Sequence, residues 1–336
     1  MTAPSVGGSP TVIALEEHWW PPELVAALER LPPGRRDEGL VLFNGGERER
    51  RLADLGEERL RDMDTQGVDL AVISVTTPAT QPLAPAEAVA LAREANDQAA
   101  AAVAAHPDRL AAFATLPTPD PDAAADELER SVTQLGFRGA MLHGRSGDRH
   151  LDHPVFRGVF ERAATLGVAI YLHPQMPSPE VRRLYYDGFG DVVSGYFASG
   201  GWGWHMETGI EAVRLILAGT FDRSPNLQLI LGHWGEMVVF FLERLDVMSQ
   251  VATHLDRGVG DYVRENVAVT PSAMFDQRLL QRAIDVLGVD RILMSTDYPF
   301  QDAPKRNARA FLTSSALTID EQDRIGSRNA TRLLGM

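Results

Sequence analysis

The run LAVISVT, Leu70 to Thr76, decides how the rest of the chain is read. It is almost continuously apolar and rich in β-branched side chains, without the polar alternation of a strand that keeps one face in water. Such a strand is buried on both faces, as in a parallel sheet covered by helices. The chain alternates accordingly on either side. Upstream, TVIALEEHW (11–19) reads as a strand, 21–31 as a helix opened by prolines, 32–50 as a Gly, Pro and Arg-rich surface excursion, and 57–66 as a helix. Downstream the spacing predicts strands at 109–116, 137–144, 168–174, 227–234, 267–273 and 291–297. Helices are predicted at 85–106, 121–135, 154–166, 207–221, 236–248 and 277–287, with 305–316 and 319–334 closing the chain. Eight strands alternating with helices, and no break in composition, predict an α/β fold: a (β/α)8 TIM barrel with C-terminal helices, one domain over 11–336 behind a flexible polar leader at 1–10.

The totals narrow the partners. A chain of 336 residues with 44% hydrophobic content can bury a large core. Its formal charge of -14 disfavours nucleic acid and anionic membrane surfaces, which need a basic face, and points to a small molecule. There is no cysteine, which rules out disulfides, zinc thiolates and thiol nucleophiles and is compatible with a reducing, cytoplasmic setting. The first ten residues lack the pattern of a secretion signal, and no apolar run is long enough to cross a bilayer. No G-x-G-x-x-G or G-x-x-x-x-G-K-[ST] follows a strand, which weakens a nucleotide-binding reading.

In a barrel of this kind chemistry sits where strands run out into loops. Glu16 and His18, two apart on a strand, project to one face while Glu17 turns away. His143, His173, His233 and Asp297 end later strands. One imidazole at a strand end is commonly a hydrogen-bonded rim group; several, with two carboxylates, make a divalent metal centre with oxygen and nitrogen ligands the favoured reading. Glu16, His18, His173 and Asp297 are assigned to the metal, with Mn²⁺, Zn²⁺ or Mg²⁺ all suited. His233, with Glu236 three residues on, is cast as a proton-handling imidazole held by that carboxylate. The alternative makes His233 a ligand in place of one carboxylate. His205, beside Trp202 and Trp204, stands near a pocket mouth. Phe300 walls the pocket or simply packs; Arg244 binds substrate or pairs with Asp246. His106, His150, His153 and His254 are read as surface groups.

ALEEHW, YLHPQMPSP, GHWGEM and MSTDYPF together resemble the amidohydrolase superfamily, and more narrowly its decarboxylase branch, which acts on hydroxybenzoates and aminocarboxymuconate semialdehyde. RDMDTQGVDLAVIS, LGFRGAMLHG and the stretch from ETGIEAV to LILGH extend the likeness over nearly the whole chain. The resemblance implies a distorted (β/α)8 barrel, one divalent metal, no organic cofactor, an aromatic carboxylate substrate that loses carbon dioxide, and a homodimer or homotetramer. It implies Glu16, His18, His173 and Asp297 as ligands, His233 and Glu236 beside them, and Arg244 near the substrate. E-x-H, where hydrolases carry H-x-H, points to the hydroxybenzoate decarboxylases, with Asp297 as the acid that protonates the ring. His143 in place of asparagine, Tyr298 in place of tryptophan, and the GGWGWHME segment depart from that pattern and bear on the substrate. Two other readings use the same residues: hydrolysis of a lactone or amide by metal-activated water, and a barrel that serves only as a scaffold.

Overall fold

The computed structural model describes residues 9–32, 35–37, 45–301 and 307–336. The predicted leader lies outside them up to residue 8, as do residues 33–34 and 38–44 of the 32–50 excursion and the predicted start of the 305–316 helix. What is described of those segments includes helices Glu47–Ala53 and Ala308–Thr313.

The strands are β1 (Ile13–Trp19), β2 (Leu70–Val75), β3 (Leu110–Ala112), β4 (Ala114–Thr115), β5 (Gly139–His143), β6 (Ala169–His173), β7 (Leu229–Leu231) and β8 (Val267–Val269). All pairings between them are parallel, in the orders β1-β2-β3 and β4-β5-β6-β7-β8. Only Phe113 separates β3 from β4, and its N–H donates to Ile73 O at 3.0 Å, so 110–115 joins both sheets. The predicted 291–297 strand makes isolated bridges instead of a continuous ladder. Ile292 pairs with Val269 and Met294 with Ala14, and Leu15 N–H reaches Met294 O at 3.0 Å. This last segment therefore links β8 back to β1, and the parallel strands run round in a ring.

Parallel neighbours require long crossovers, and the helices that make them cover the outside of the ring. One apolar cluster fills the interior, with Leu15, Val72, Phe113, Met141, Tyr171 and Leu293 among its members and Ala330 and Leu334 of the final helix packed onto it. A second cluster lies between ring and helices. Glycine 139 sits where the ring is tightest: a Cβ there would lie 2.3 Å from Ala169 O.

Several predicted boundaries shift for local reasons. The 227–234 strand contracts to Leu229–Leu231, because the backbone from 233 to 237 is left-handed throughout. For the same reason the helix predicted from 236 begins at Val238. The helix predicted at 207–221 starts earlier, as Gly203–Leu217, and breaks where Gly219 adopts φ 68°. Helices Pro179–Tyr185, Asp191–Ala198 and Val259–Asn266 were not legible in the pattern. Among the described residues no helix is long and apolar enough to cross a membrane.

Candidate active site

The site begins with an irregularity in β1. Ala14 pairs with Ala71, but Glu17 already pairs with Ile73, so three residue steps on β1 oppose two on β2. Ile13 and Leu15 lie in the interior cluster. Strict alternation would continue inward with Glu17 and send Glu16 and His18 out. The bulge resets the phase. Glu16 and His18 both enter the ring, fully buried, while Glu17 goes outward, 2% exposed.

Inside, Glu16, His173 and His18 each have one polar side-chain atom already engaged. Glu16 Oε2 accepts hydrogen bonds from Tyr171 OH at 2.8 Å and from the Ser272 hydroxyl. The His173 Nδ1–H donates to Pro174 O at 2.9 Å, which fixes the tautomer with a lone pair on Nε2. His18 Nδ1 lies 3.5 Å from Ser74 Oγ. What remains points inward: Glu16 Oε1 and His18 Nε2 are buried without a hydrogen-bond partner, and His173 Nε2 lies 3.4 Å from Glu16 Oε1. Ligand atoms of Glu16, His18 and His173 fall within 4.8 Å of one another. Asp297 Oδ1 is 3.8 Å from His18 Nε2. Gly232 keeps this space open, since a Cβ there would stand 2.8 Å from Ser272 Oγ and 3.2 Å from Glu16 Oε1.

The electrostatics say what the space lacks. Burial, then the positive charge of neighbouring imidazoles, holds His18 well below its ordinary value and lowers His173 to about 3, so both are neutral donors. Burial pushes the Glu16 and Asp297 carboxyls up, and the Glu16 carboxylate raises Asp297 further. Buried carboxylates and imidazole lone pairs converging without a proton or cation between them are costly, and a dication reverses each of those costs. The donor set therefore fits a divalent ion with oxygen and nitrogen ligands.

A second group adjoins it. Glu236 bridges two imidazoles, His233 Nδ1 at 2.7 Å and His205 Nδ1 at 2.8 Å. Burial opposes charge here, but His233 and Glu236 outweigh it for each other: Glu236 falls to about 2 and His233 rises to about 10. The backbone that presents them is strained, with φ of 48° at His233, 59° at Trp234, 50° at Glu236 and 69° at Met237. The other non-glycine residues at positive φ, Ala79, Ser272, Ala273 and Asp297, also lie just beyond strand ends on this rim. Strain of this kind persists only where surrounding contacts enforce it, and it concentrates at working sites.

Above both groups is a cavity of about 310 Å³. His173, His233, His205, Asp297 and Phe300 line it, and Arg48 is the cation in its wall. Trp202 is 43% exposed and not in the lining; Trp204 takes that place and donates Nε1–H to His205 Nε2 at 3.1 Å. His143 is buried beneath the cavity, its ring 5.1 Å from that of His173. Arg244 is exposed in the second half of helix Val238–Asp246 and does not line the cavity. His150 is not a simple surface group: its Nδ1 meets the buried Glu211 carboxylate at 2.5 Å. Sequence reasoning missed Arg48, whose segment carries no strand-end signal, and Ser272. Tyr171 was within reach, since it lies two residues before His173 on the same strand face.

The amidohydrolase family matches residues 13–336. γ-Resorcylate decarboxylase of Rhizobium sp. (strain MTP-10005) is 36% identical over 96% of this chain and 97% of its own length. The 5-carboxyvanillate decarboxylase of Sphingomonas paucimobilis superposes with a TM-score of 0.88 at 35% identity, covering 98% of this chain and 100% of its own. A dihydroxybenzoic acid decarboxylase of Polaromonas sp. JS666, solved with bound manganese and the inhibitor 2-nitroresorcinol, gives a TM-score of 0.84 at 33% identity over 97% of both chains.

Proposed function

This chain belongs to the amidohydrolase family, on its decarboxylase branch, and from that premise we propose that residues 11–336 form a metal-dependent, non-oxidative decarboxylase of a hydroxybenzoate-like acid. The observation that carries the reading is the pair of unpartnered buried atoms, Glu16 Oε1 and His18 Nε2, facing His173 and Asp297 at the floor of a cavity sized for one aromatic ring. Relatives of similar identity act on dihydroxybenzoates and on carboxyvanillate, which supports a hydroxybenzoate-like acid as the substrate class.

Glu16, His18, His173 and Asp297 would hold one divalent ion, a reading supported by the manganese bound in the Polaromonas protein. When bound, the ion supplies positive charge against a carboxylate and an adjacent phenol oxygen. The remaining work falls to the chain. Losing carbon dioxide from an aromatic ring needs the carboxyl-bearing carbon protonated first, since the electron pair otherwise has nowhere to go. Asp297 lines the cavity with its Oδ1 3.8 Å from His18 Nε2, and it is the carboxyl placed to carry that proton to the ring carbon. His233, held by Glu236, faces the same cavity as the group that orients an acidic hydroxyl or returns the proton to Asp297. His205 keeps Glu236 in place from the other side, and Phe300 walls the ring, its centroid 5.7 Å from that of His18. Arg48 meets a negative group at the cavity mouth. Replacing Arg48 with alanine is expected to raise KM about tenfold and leave kcat within about twofold, as for a charge that binds substrate and transition state alike. Steady-state kinetics on the preferred substrate check this.

The chain is also read as a homo-oligomer. Leu184, Tyr185, Phe189, Val192 and Val193 are exposed on helices Pro179–Tyr185 and Asp191–Ala198 and the turn between them, and Phe240 and Phe241 on helix Val238–Asp246, an apolar surface of the kind that subunits cover.

The test is direct. Purified protein loaded with manganese is offered a panel of mono- and dihydroxybenzoates, with carboxyvanillate and a carboxylated muconate beside it, and carbon dioxide is measured. Release from at least one hydroxybenzoate, lost on chelation and restored by Mn²⁺, is expected. Hydrolysis of lactones or amides without carbon dioxide release would replace the reading with a hydrolase, and absence of stoichiometric metal would favour a scaffold.

A further inference from the structure

Two buried charged residues stand outside the site just described. Glu17, turned outward by the β1 bulge, is 2% exposed in the apolar layer between ring and helices. Both of its oxygens are used on one residue: Thr296 N–H donates to Oε1 at 2.8 Å and Thr296 Oγ1–H to Oε2 at 2.6 Å. The next residue is Asp297, at φ 54°, a conformation that L side chains rarely adopt. Arg59, in helix Glu57–Gln66, is 1% exposed and forms no ion pair within 4 Å among the described residues. Its Nη2–H donates to His18 O, its Nε–H to Asp54 O at 3.0 Å, and its guanidinium lies 4.4 Å over the ring of Tyr298. Arg51 stacks on the same ring at 4.7 Å.

Burying a carboxyl and a guanidinium is expensive, and a packed apolar pair would serve stability as well or better. What this pair does that apolar residues cannot is bond the backbone on both sides of one gap. Glu17 grips the residue before Asp297, Arg59 covers the residue after it, and Arg59 also holds the carbonyl of His18. Across that gap His18 Nε2 and Asp297 Oδ1 face each other at 3.8 Å.

We propose that Glu17 and Arg59 are positioning residues that hold Asp297 in its left-handed conformation and set its separation from His18, so that both side chains meet one metal ion. The inference rests on the metal reading above but not on the substrate. Its test therefore measures Mn²⁺ affinity without substrate, alongside kcat and KM, in the full chain.

Glu17→Ala is expected to weaken Mn²⁺ binding by about 10- to 100-fold and to lower kcat comparably with KM little changed, the range typical for residues that orient ligands. Glu17→Gln should recover most of both, because its carbonyl still accepts from Thr296 N–H and the threonine hydroxyl can turn to accept from the amide. Arg59→Lys keeps the charge but loses the fork that reaches His18 and Asp54 together, and about a tenfold loss of Mn²⁺ affinity is expected. Folded Glu17→Ala protein that binds Mn²⁺ and turns over as the wild type does overturns the proposal. If Glu17→Ala does not fold, Thr296→Val decides: it removes one of the two hydrogen bonds, so unchanged Mn²⁺ affinity and kcat in that variant is equally fatal. Wild-type protein that binds Mn²⁺ but releases no carbon dioxide defeats the decarboxylase reading alone.

Discussion

Asp297→Asn is expected to reduce carbon dioxide release by about 10³-fold or more while the protein still folds and still takes up part of its metal. The shape at this position is conserved by the change, the amide oxygen can remain near His18, and Gln301, whose Nε2 approaches Asp297 Oδ2 at 3.5 Å, keeps a neighbour. Only the ionisable proton is lost. A positioned general acid contributes about 10²- to 10⁴-fold, and Asp297 is the carboxyl that lines the cavity. The measurement is single-turnover carbon dioxide release at saturating Mn²⁺, with substrate binding followed separately. Near-normal turnover would remove Asp297 from the chemistry; loss of activity accompanied by complete loss of metal would make it a ligand only.

Glu16→Gln is expected to abolish both metal binding and turnover, with Mn²⁺ affinity falling by more than the roughly 10- to 100-fold typical of residues that merely orient ligands. Tyr171 and Ser272 hold Oε2 from one side, and Gly232 leaves the other oxygen a clear approach to His18 and His173. An amide in the same place is neutral, and its NH₂ group would turn a donor toward the imidazole lone pairs. The variant should nevertheless melt no lower than metal-free wild type, because it removes a buried carboxylate oxygen that has no hydrogen-bond partner. Wild type should gain thermal stability on adding Mn²⁺ and Glu16→Gln should not, since a ligand stabilises the folded state only in proportion to its binding. Calorimetric melting of both proteins with and without Mn²⁺ reads all four values. A variant that still gains stability from Mn²⁺ would place the ion elsewhere, with the His205, His233 and Glu236 group as the next set of donors.

These expectations draw on the chain at two levels. The parallel α/β fold, most strand and helix positions, and the convergence of His173, His233 and Asp297 on one rim followed from local patterns alone. Continuous apolar runs such as LAVISVT are unstable unless covered on both faces, and that condition needs no coordinates to state. The likeness of four short strand-end motifs to a decarboxylase branch was equally legible, because those residues answer to chemistry rather than to packing.

Geometry that arises from two distant segments was not. From period two alone, a strand with Ile13 and Leu15 inside should also put Glu17 inside; the β1 bulge reverses this, and it exists only through the register between β1 and β2. Trp204 and Arg48, rather than Trp202 and Arg244, line the cavity, which depends on where helices Gly203–Leu217 and Val238–Asp246 begin and on which side chains reach the rim. Left-handed backbone at His233, Glu236 and Asp297 carries no signature in residue type, since each is enforced by contacts made far along the chain. Composition and spacing thus determined which elements form and which side chains can do chemistry. Tertiary structure decided which of those side chains share a site, because their distances depend on register and on left-handed turns, and a local pattern contains neither.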